Sequence, residues 1–419
     1  MWRVARLIEN LPTICQQTAR MVEEWGGEAY LVGGPVRHLL ISPNDYDISA
    51  VPDWDIVVDL RPTGRGLARL LKEMQVLTGS HYVFYQQFLT GTLVLGDVRV
   101  DIAHTRDETY PAPAVLPVVR PAGIEADLRR RDFTINAIAV RLTGRDRGTL
   151  VDPTGGQADI EAQVVRIIHP NSFVDDPTRI FRCIRYAVRH GFEIESGTLY
   201  LLRRAVKDRY PARLTPERIL YELRCICREP AALKMLEAVI KEGVLASCWS
   251  QLPGADFFGY PVERLLADLQ ALSQAKAAPE LMFIYLLSRL PVDERFPIVR
   301  LEREAQQALR EADVIVSRLR HAQRRSTIYE VLRGVPVPAL EILAILEPEP
   351  IRRRIKLYLD RLIGVEPELR AADLIAAGVK PGPALGWILK RLHQARLDGK
   401  VKSLAEEKEL VRRLTGRNV

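Results

Sequence analysis

Glu28-Ala-Tyr-Leu-Val32 runs into Gly33-Gly34 and then into Val36 to Ile41: a strand, a glycine turn and a short helix in sequence. The apolar run has strand length, and the glycines end it. Such a turn lets backbone N–H groups approach a phosphate, aided by the positive end of the helix. A plain turn uses the same glycine pair. Around it, a second strand is expected at Trp54-Asp-Ile-Val-Val58 and a helix from about Gly64 to Leu77. Alternating runs follow at Tyr82–Phe84, Thr90–Leu95 and Arg99–Ala103, with turn signals at Gly91 and Gly96-Asp97. Together these predict a small mixed or antiparallel sheet with helices.

Further along, residues 105–126 read as a loop, with three prolines in Tyr110-Pro-Ala-Pro-Ala-Val-Leu-Pro117. Beyond about residue 150 the pattern becomes helical, as in Ile180-Phe-Arg-Cys-Ile-Arg-Tyr-Ala-Val188 and from Arg213 to Arg228. The expected architecture is an α/β head over residues 1–142 followed by an all-α remainder. That remainder divides into a neck at 143–228, a body at 229–345 and a basic tail at 346–419. A chain of 419 residues has room for several domains.

No apolar run approaches the roughly 20 residues of a membrane span. The first residues carry no long apolar stretch of the secretory kind, so a cytoplasmic location is expected. The five cysteines are odd in number and form no Cys-x-x-Cys pair, which argues against a disulfide framework or a zinc site. The net charge is +7, and it is unevenly placed. Residues 351–419 hold 16 Lys and Arg against 8 Asp and Glu, leaving the rest of the chain nearly neutral. A basic segment on a neutral body suits a polyanion such as nucleic acid, or simply a solvated helical surface. No obligate protein partner is indicated.

Three stretches carry chemistry. In Asp53-Trp-Asp55 the two carboxylates are i and i+2, so on a strand they face one side. Such a pair suits Mg²⁺, which takes one or two carboxylates plus substrate phosphates. It equally suits a solvated turn before a strand. In Arg99-Val-Asp101-Ile-Ala, Val100 and Ile102 would face the core and Asp101 the other side, where it could join the first two acids as a base or a further ligand. Third, Asp127-Leu-Arg-Arg-Arg-Asp-Phe-Thr-Ile-Asn136 sets ionisable groups directly against the apolar run Phe133 to Val140. Charges beside a core pair with each other or with a ligand. Arg fits phosphate bidentately, and Asp132 and Asn136 can bond ribose hydroxyls.

In this order, Leu31-Val-Gly-Gly-Pro-Val-Arg37, Asp53-Trp-Asp55 and Arg130-Arg-Asp-Phe-Thr-Ile-Asn-Ala137 resemble class II tRNA nucleotidyltransferases and the related bacterial poly(A) polymerases of the DNA polymerase beta superfamily. Asp152-Pro-Thr-Gly-Gly156 with Asp159, Asp175-Asp-Pro-Thr-Arg179, and Leu214-Thr-Pro-Glu-Arg-Ile219 with Glu222 resemble later motifs of that family. Asp373-Leu-Ile-Ala-Ala-Gly-Val-Lys-Pro-Gly-Pro383 is similar to a tail segment in part of it.

The resemblance implies addition of C and/or A to the tRNA 3′ end from CTP and ATP, without a template, by two-metal-ion chemistry with Mg²⁺. Gly33, Gly34 and Arg37 would serve the triphosphate, and Asp53 and Asp55 the metal ions. Arg131, Asp132 and Asn136 would address phosphate and ribose. Asp176 and Arg179 would read the base, with Arg182 and Arg185 also on the nucleotide. In the tail, Arg352, Arg353, Arg354 and Lys380 would contact the tRNA backbone. A poly(A) polymerase, or a specialist adding only A or only CC, is the alternative.

The base-reading role has a physical rationale. ATP and CTP both present an amine donor beside a ring-nitrogen acceptor, matched by a carboxylate and a guanidinium, whereas GTP and UTP present the reverse. Asp176 and Arg179 are three apart, so on a helix they would share a face. Three departures from the family pattern stand out. His38 occupies a position where the family carries Asp, and Asp175 one where it carries Glu. The connection Ser42 to Pro52 is longer than usual. The absence of any His-Asp dipeptide argues against the phosphohydrolase domain of some relatives.

Overall fold

The structure is a computed structural model describing residues 2–42, 53–249, 261–290 and 298–416. The long connection expected from Ser42 to Pro52 lies outside these residues from 43 onward. The chain divides into two compact units, Met1–Glu222 with Glu229–Gln251, and Leu223–Arg228 with Leu252–Val419.

The first unit begins with helices α1 (Trp2–Glu9) and α2 (Thr13–Glu24), then strand β1 (Glu28–Val32) and helix α3 (Gly34–Ile41). Strand β2 (Asp53–Asp59), helix α4 (Leu67–Thr78) and strands β3 (His81–Tyr85), β4 (Thr90–Leu95) and β5 (Val98–His104) follow. After them come β6 (Arg106–Thr109), β7 (Val118–Pro121), α5 (Ile124–Arg129), β8 (Ala139–Arg141) and β9 (Leu150–Val151). Seven strands form one sheet in the order β3-β4-β5-β2-β1-β8-β9. All neighbours are antiparallel except β2 and β5, which run parallel, so the sheet is mixed, as the alternating runs suggest.

Alternation sorts β2 between two faces. Trp54, Ile56 and Val58 are buried on one side. Val57 turns the other way, into a core cluster with Tyr30, Val32, Leu128, Ala137 and Ala139. Asp53 and Asp55 share the face of Val57, at the open end of the strand.

Residues 105–126 are not a loop. β6 and β7 pair as an antiparallel hairpin, Arg106 opposite Pro121 and Thr109 opposite Val118, and α5 begins at Ile124. The hairpin has no apolar alternation because ion pairs hold it. Glu108 takes Arg106 at 3.1 Å and Arg130 at 2.7 Å. Its prolines lie in the connection and at a strand end, where a missing N–H costs little.

Beyond the sheet, the unit turns helical through α6 (Gly156–Glu161), α7 (Ser172–Asp175), α8 (Thr178–His190), α9 (Ser196–Lys207) and α10 (Pro216–Cys227). The second unit is helical throughout its described residues. Its last part packs Leu374, Val379, Leu385, Ile388, Leu392 and Val411 into one cluster. There the fully buried Glu407 accepts from the backbone N–H groups of Glu368 and Leu369 and pairs with Arg396 at 3.2 Å. No described helix is long and apolar enough to cross a membrane.

Gly156 opens α6 against the backbone of the 3₁₀ turn Thr134–Asn136. A Cβ there would lie 2.1 Å from the Thr134 carbonyl oxygen. Gly156→Ala is therefore expected to destabilise the fold by about 1–3 kcal/mol, read as a lower midpoint in urea unfolding at unchanged slope.

Candidate active site

Backbone pairing sets the acids. In the parallel β2–β5 register Asp55 lies beside Asp101, and Asp53 beside Arg99. Gly33, at φ +72°, closes over them; a Cβ in its place would sit 2.8 Å from Oδ2 of Asp55. Only glycine takes that conformation and that approach together. Thr92 donates to Asp101 at 2.5 Å, and Arg99 reaches Asp101 at 3.2 Å and Asp53 at 3.8 Å.

Burial pushes the Asp55 carboxyl up to about 6, against the opposing pull of Arg131, and the charges of Asp101 and Asp53 add to the rise. Proximity of three carboxylates makes ionisation of Asp55 costly until a cation arrives. Among the described residues no three His, Cys, Asp or Glu side chains form a preassembled metal cage. This donor set fits Mg²⁺, which shares its shell with substrate phosphates, and does not fit an all-protein zinc site.

A cavity of about 870 Å³ opens from these acids, within the range of small-molecule sites. Gly33, Gly34, Arg37, Asp53 and Asp55 line it. So do Arg131, Asp132, Asn136, Asp176, Arg179 and Arg182. Asp101 faces a separate groove of about 390 Å³ that shares Asp55 with the cavity. Arg185 lies outside the lining, buried 3.7 Å from Glu222. The exposed His38 lines the cavity on α3.

The walls are held by buried ion pairs. Asp132 accepts from Arg182 at 2.7 and 2.9 Å and from Asn136 at 2.9 Å, and Arg37 donates to the Asn136 side chain. Burial alone would raise the Asp132 carboxyl, but Arg182, Asn136 and Arg179 hold it down to about 2. Fully buried Asp127 takes Arg130 at 2.7 Å and Arg131 at 3.1 Å. The Nε atoms of Arg37 and Arg131 are buried with no acceptor among the described residues. Those are donors that an oxyanion would satisfy.

The Asp176–Arg179 pair departs from expectation in its backbone. α8 starts only at Thr178, and Asp176 is extended at φ −134°, ψ 93°. The cause is Pro177, whose ring excludes helix geometry from the residue before it. The two side chains still line one cavity, without sharing a helix face. Arg179 is fixed by Ser172 at 2.7 Å, the Arg130 carbonyl at 3.1 Å and the Tyr110 hydroxyl at 3.3 Å.

Other lining residues escaped the sequence reading. Tyr110 lies in the connection between β6 and β7. Tyr186 has the helical spacing of a core residue. It is nearly buried, yet lines the cavity with the Arg37 guanidinium 4.8 Å from its ring centre. Of the tail residues, Arg352 donates to the carbonyls of Glu347 and Ile345, and Arg354 to those of Leu319 and Arg320. They cap helix ends, whereas Arg353 and Lys380 are exposed.

Residues 29–166 match the model of the poly A polymerase head domain. The chain is 31% identical to an A-adding tRNA nucleotidyltransferase of Geobacter sulfurreducens, covering 92% of this chain and 45% of that protein. It is 30% identical to an A-adding tRNA nucleotidyltransferase of Halalkalibacterium halodurans, covering 91% and 88%. The chain thus spans less than half the length of the Geobacter relative. Its fold superposes on the Thermotoga maritima CCA-adding enzyme complexed with tRNA at a TM-score of 0.70, with 26% identity over 98% of both chains.

A carboxyl raised from 3.8 to about 6 takes up a proton in the folded state across that window. It therefore favours the fold at acidic pH, and that contribution is lost as pH rises through 6. Asp55→Asn is expected to make the metal-free protein more stable than wild type at pH 7.5, by about 2–3 kcal/mol, and by far less at pH 4. Urea unfolding in EDTA at the two pH values measures this.

Proposed function

Because the chain belongs to the tRNA nucleotidyltransferase family, we propose that it extends the 3′ end of tRNA with C and/or A, taking CTP and ATP as substrates. One observation carries the reading: a single cavity is lined both by the Asp53–Asp55 acid pair and by Asp176 and Arg179. A cavity of about 870 Å³ has room for a nucleoside triphosphate, with phosphates at the acids and base at the Asp–Arg pair.

In this proposal Asp53 and Asp55 hold Mg²⁺, which when bound neutralises developing charge on the attacking and leaving oxygens. Asp101, on the groove side of Asp55, accepts the proton of the attacking 3′-hydroxyl. The N–H groups around Gly33 and Gly34, with Arg37 and Arg131, take the triphosphate. Asp132 and Asn136 meet the ribose, and Arg182 keeps Asp132 ionised and in place. Arg185, paired with Glu222, supports this wall from behind. Asp176 accepts from the exocyclic amine of A or C while Arg179 donates to the adjacent ring nitrogen. GTP and UTP would leave both groups facing like partners.

Residues 1–142 then form the catalytic head, 143–228 the base-recognising neck, 229–345 the body and 346–419 the tRNA-binding tail. In that tail Arg353 and Lys380 have free reach for phosphate, while Arg352 and Arg354 have donors committed to helix ends. The proposed setting is the cytoplasm, in keeping with five free cysteines. Addition of A alone is the second reading, favoured by the A-adding names of both relatives described above.

The test is direct. The protein is incubated with tRNAs ending before CCA, after C and after CC, with labelled CTP or ATP and Mg²⁺. Extension of a tRNA end is expected, and which end accepts which nucleotide separates CCA, CC, A and poly(A) addition. Incorporation into none of them overturns the proposal. Asp55→Ala is expected to abolish incorporation, by at least about a thousandfold, while tRNA affinity in filter binding stays within about twofold. Affinity is also expected to fall steeply as salt rises from 50 to 200 mM. Arg353→Ala and Lys380→Ala should each weaken binding with little change in unfolding midpoint.

A further inference from the structure

Of Leu214-Thr-Pro-Glu-Arg-Ile219 with Glu222, only Glu222 has a place in the chemistry described so far. It forms the first turns of α10, where Arg218 and Glu222 are i and i+4 and so share a face. Arg218 reaches Asp176 of the nucleotide wall, and Glu222 reaches Arg185 behind it. Glu222 lies 3.7 Å from Arg185. Arg218 forks: Nη1 donates to the Ala114 carbonyl at 2.9 Å, and Nη2 donates to Oδ1 of Asp176 at 2.5 Å.

That oxygen is already occupied. Oδ1 of Asp176 also accepts from the backbone N–H of Thr178 at 3.0 Å and from its hydroxyl at 2.6 Å. Three donors on one oxygen leave Oδ2 as the acceptor turned over to a ligand. A carboxylate on an extended residue between two helices otherwise rotates freely about its χ angles. Here Thr178 and Arg218 hold it at one orientation. Arg218 is itself held, because Ala114 is pinned at both ends, its N–H donating to the Asp175 carbonyl at 3.1 Å and its carbonyl accepting from Arg218. Arg218 lines the same cavity as Asp176.

We propose that Arg218 is a specificity-determining positioning residue, which orients the Asp176 carboxylate so that Oδ2 alone meets the amine of the incoming base. This rests on the reading of Asp176 as a base-recognition group. Arg218 does not touch the reacting atoms; it acts through Asp176 and ties that side chain to the hairpin connection at Ala114. A lysine ammonium keeps the charge but lacks the planar fork of the guanidinium, so it can restore the bond to Asp176 without the fixed two-pronged geometry.

The test compares wild type, Arg218→Gln, Arg218→Lys and Asp176→Asn for kcat/KM with ATP, CTP, GTP and UTP on a tRNA acceptor, alongside inhibition by pyrophosphate. Arg218→Gln is expected to lower the preference for the native nucleotide over GTP or UTP by at least tenfold. Pyrophosphate inhibition should stay within twofold, and Arg218→Lys should recover part of the preference. Asp176→Asn should relax selectivity more than either. If Asp176→Asn relaxes selectivity and neither Arg218 variant does, the proposal is overturned while the base reading stands. If Asp176→Asn keeps full selectivity, both fall. Equal loss with every nucleotide and with pyrophosphate in both Arg218 variants marks a merely structural role and also overturns it.

Discussion

Asp55 and Asp101 are fixed side by side by backbone hydrogen bonds between parallel strands, with Asp53 one pleat away. Sheet pairing does not relax to separate charges, so the repulsion is built in. Burial compounds it, and the Asp55 carboxyl rises to about 6. The rest of the head follows from that conflict. Gly33 must lack a side chain to pass over Asp55, and the neighbouring wall must be basic to make the acids tolerable. A cation would relieve such a cluster of acids.

The basic wall raises its own difficulty, since guanidinium groups this deep need partners. Asp127, Asp132 and Glu108 supply them, each buried and each bonded to at least two donors. Breaking such a pair leaves an uncompensated charge, which costs far more than the pair contributes when intact. The lattice therefore acts less as a source of stability than as a frame with one geometry. Arg179 is an example: three acceptors on three segments fix one guanidinium.

Much of the head could be read from the chain. β1 was expected at its observed ends, and the helices expected over Ile180–Val188 and Arg213–Arg228 are observed over Thr178–His190 and Pro216–Cys227. The residues brought to the cavity are nearly those the motifs name. The hairpin at 106–121 was missed because its strands are stabilised by Glu108 and its arginines rather than by alternating apolar residues. The pose of Asp176 was missed because Pro177 outranks the i,i+3 spacing. Arg352 and Arg354 read as free charge, and contacts with carbonyls of the preceding helices use them.

What the sequence alone determined was local: the strand–glycine–helix opening, the paired acids on one strand face, the order of the charged motifs and the switch to helical periodicity. Each depends on neighbours a few residues apart, where spacing and backbone preference decide. Only the tertiary structure decided that Asp101 stands beside Asp55, that Asp176 is gripped by Arg218 forty-two residues later, and which arginines face the cavity. Those outcomes depend on strand register and on ion pairs between distant segments, and no spacing along one chain specifies which of many acids and arginines will meet.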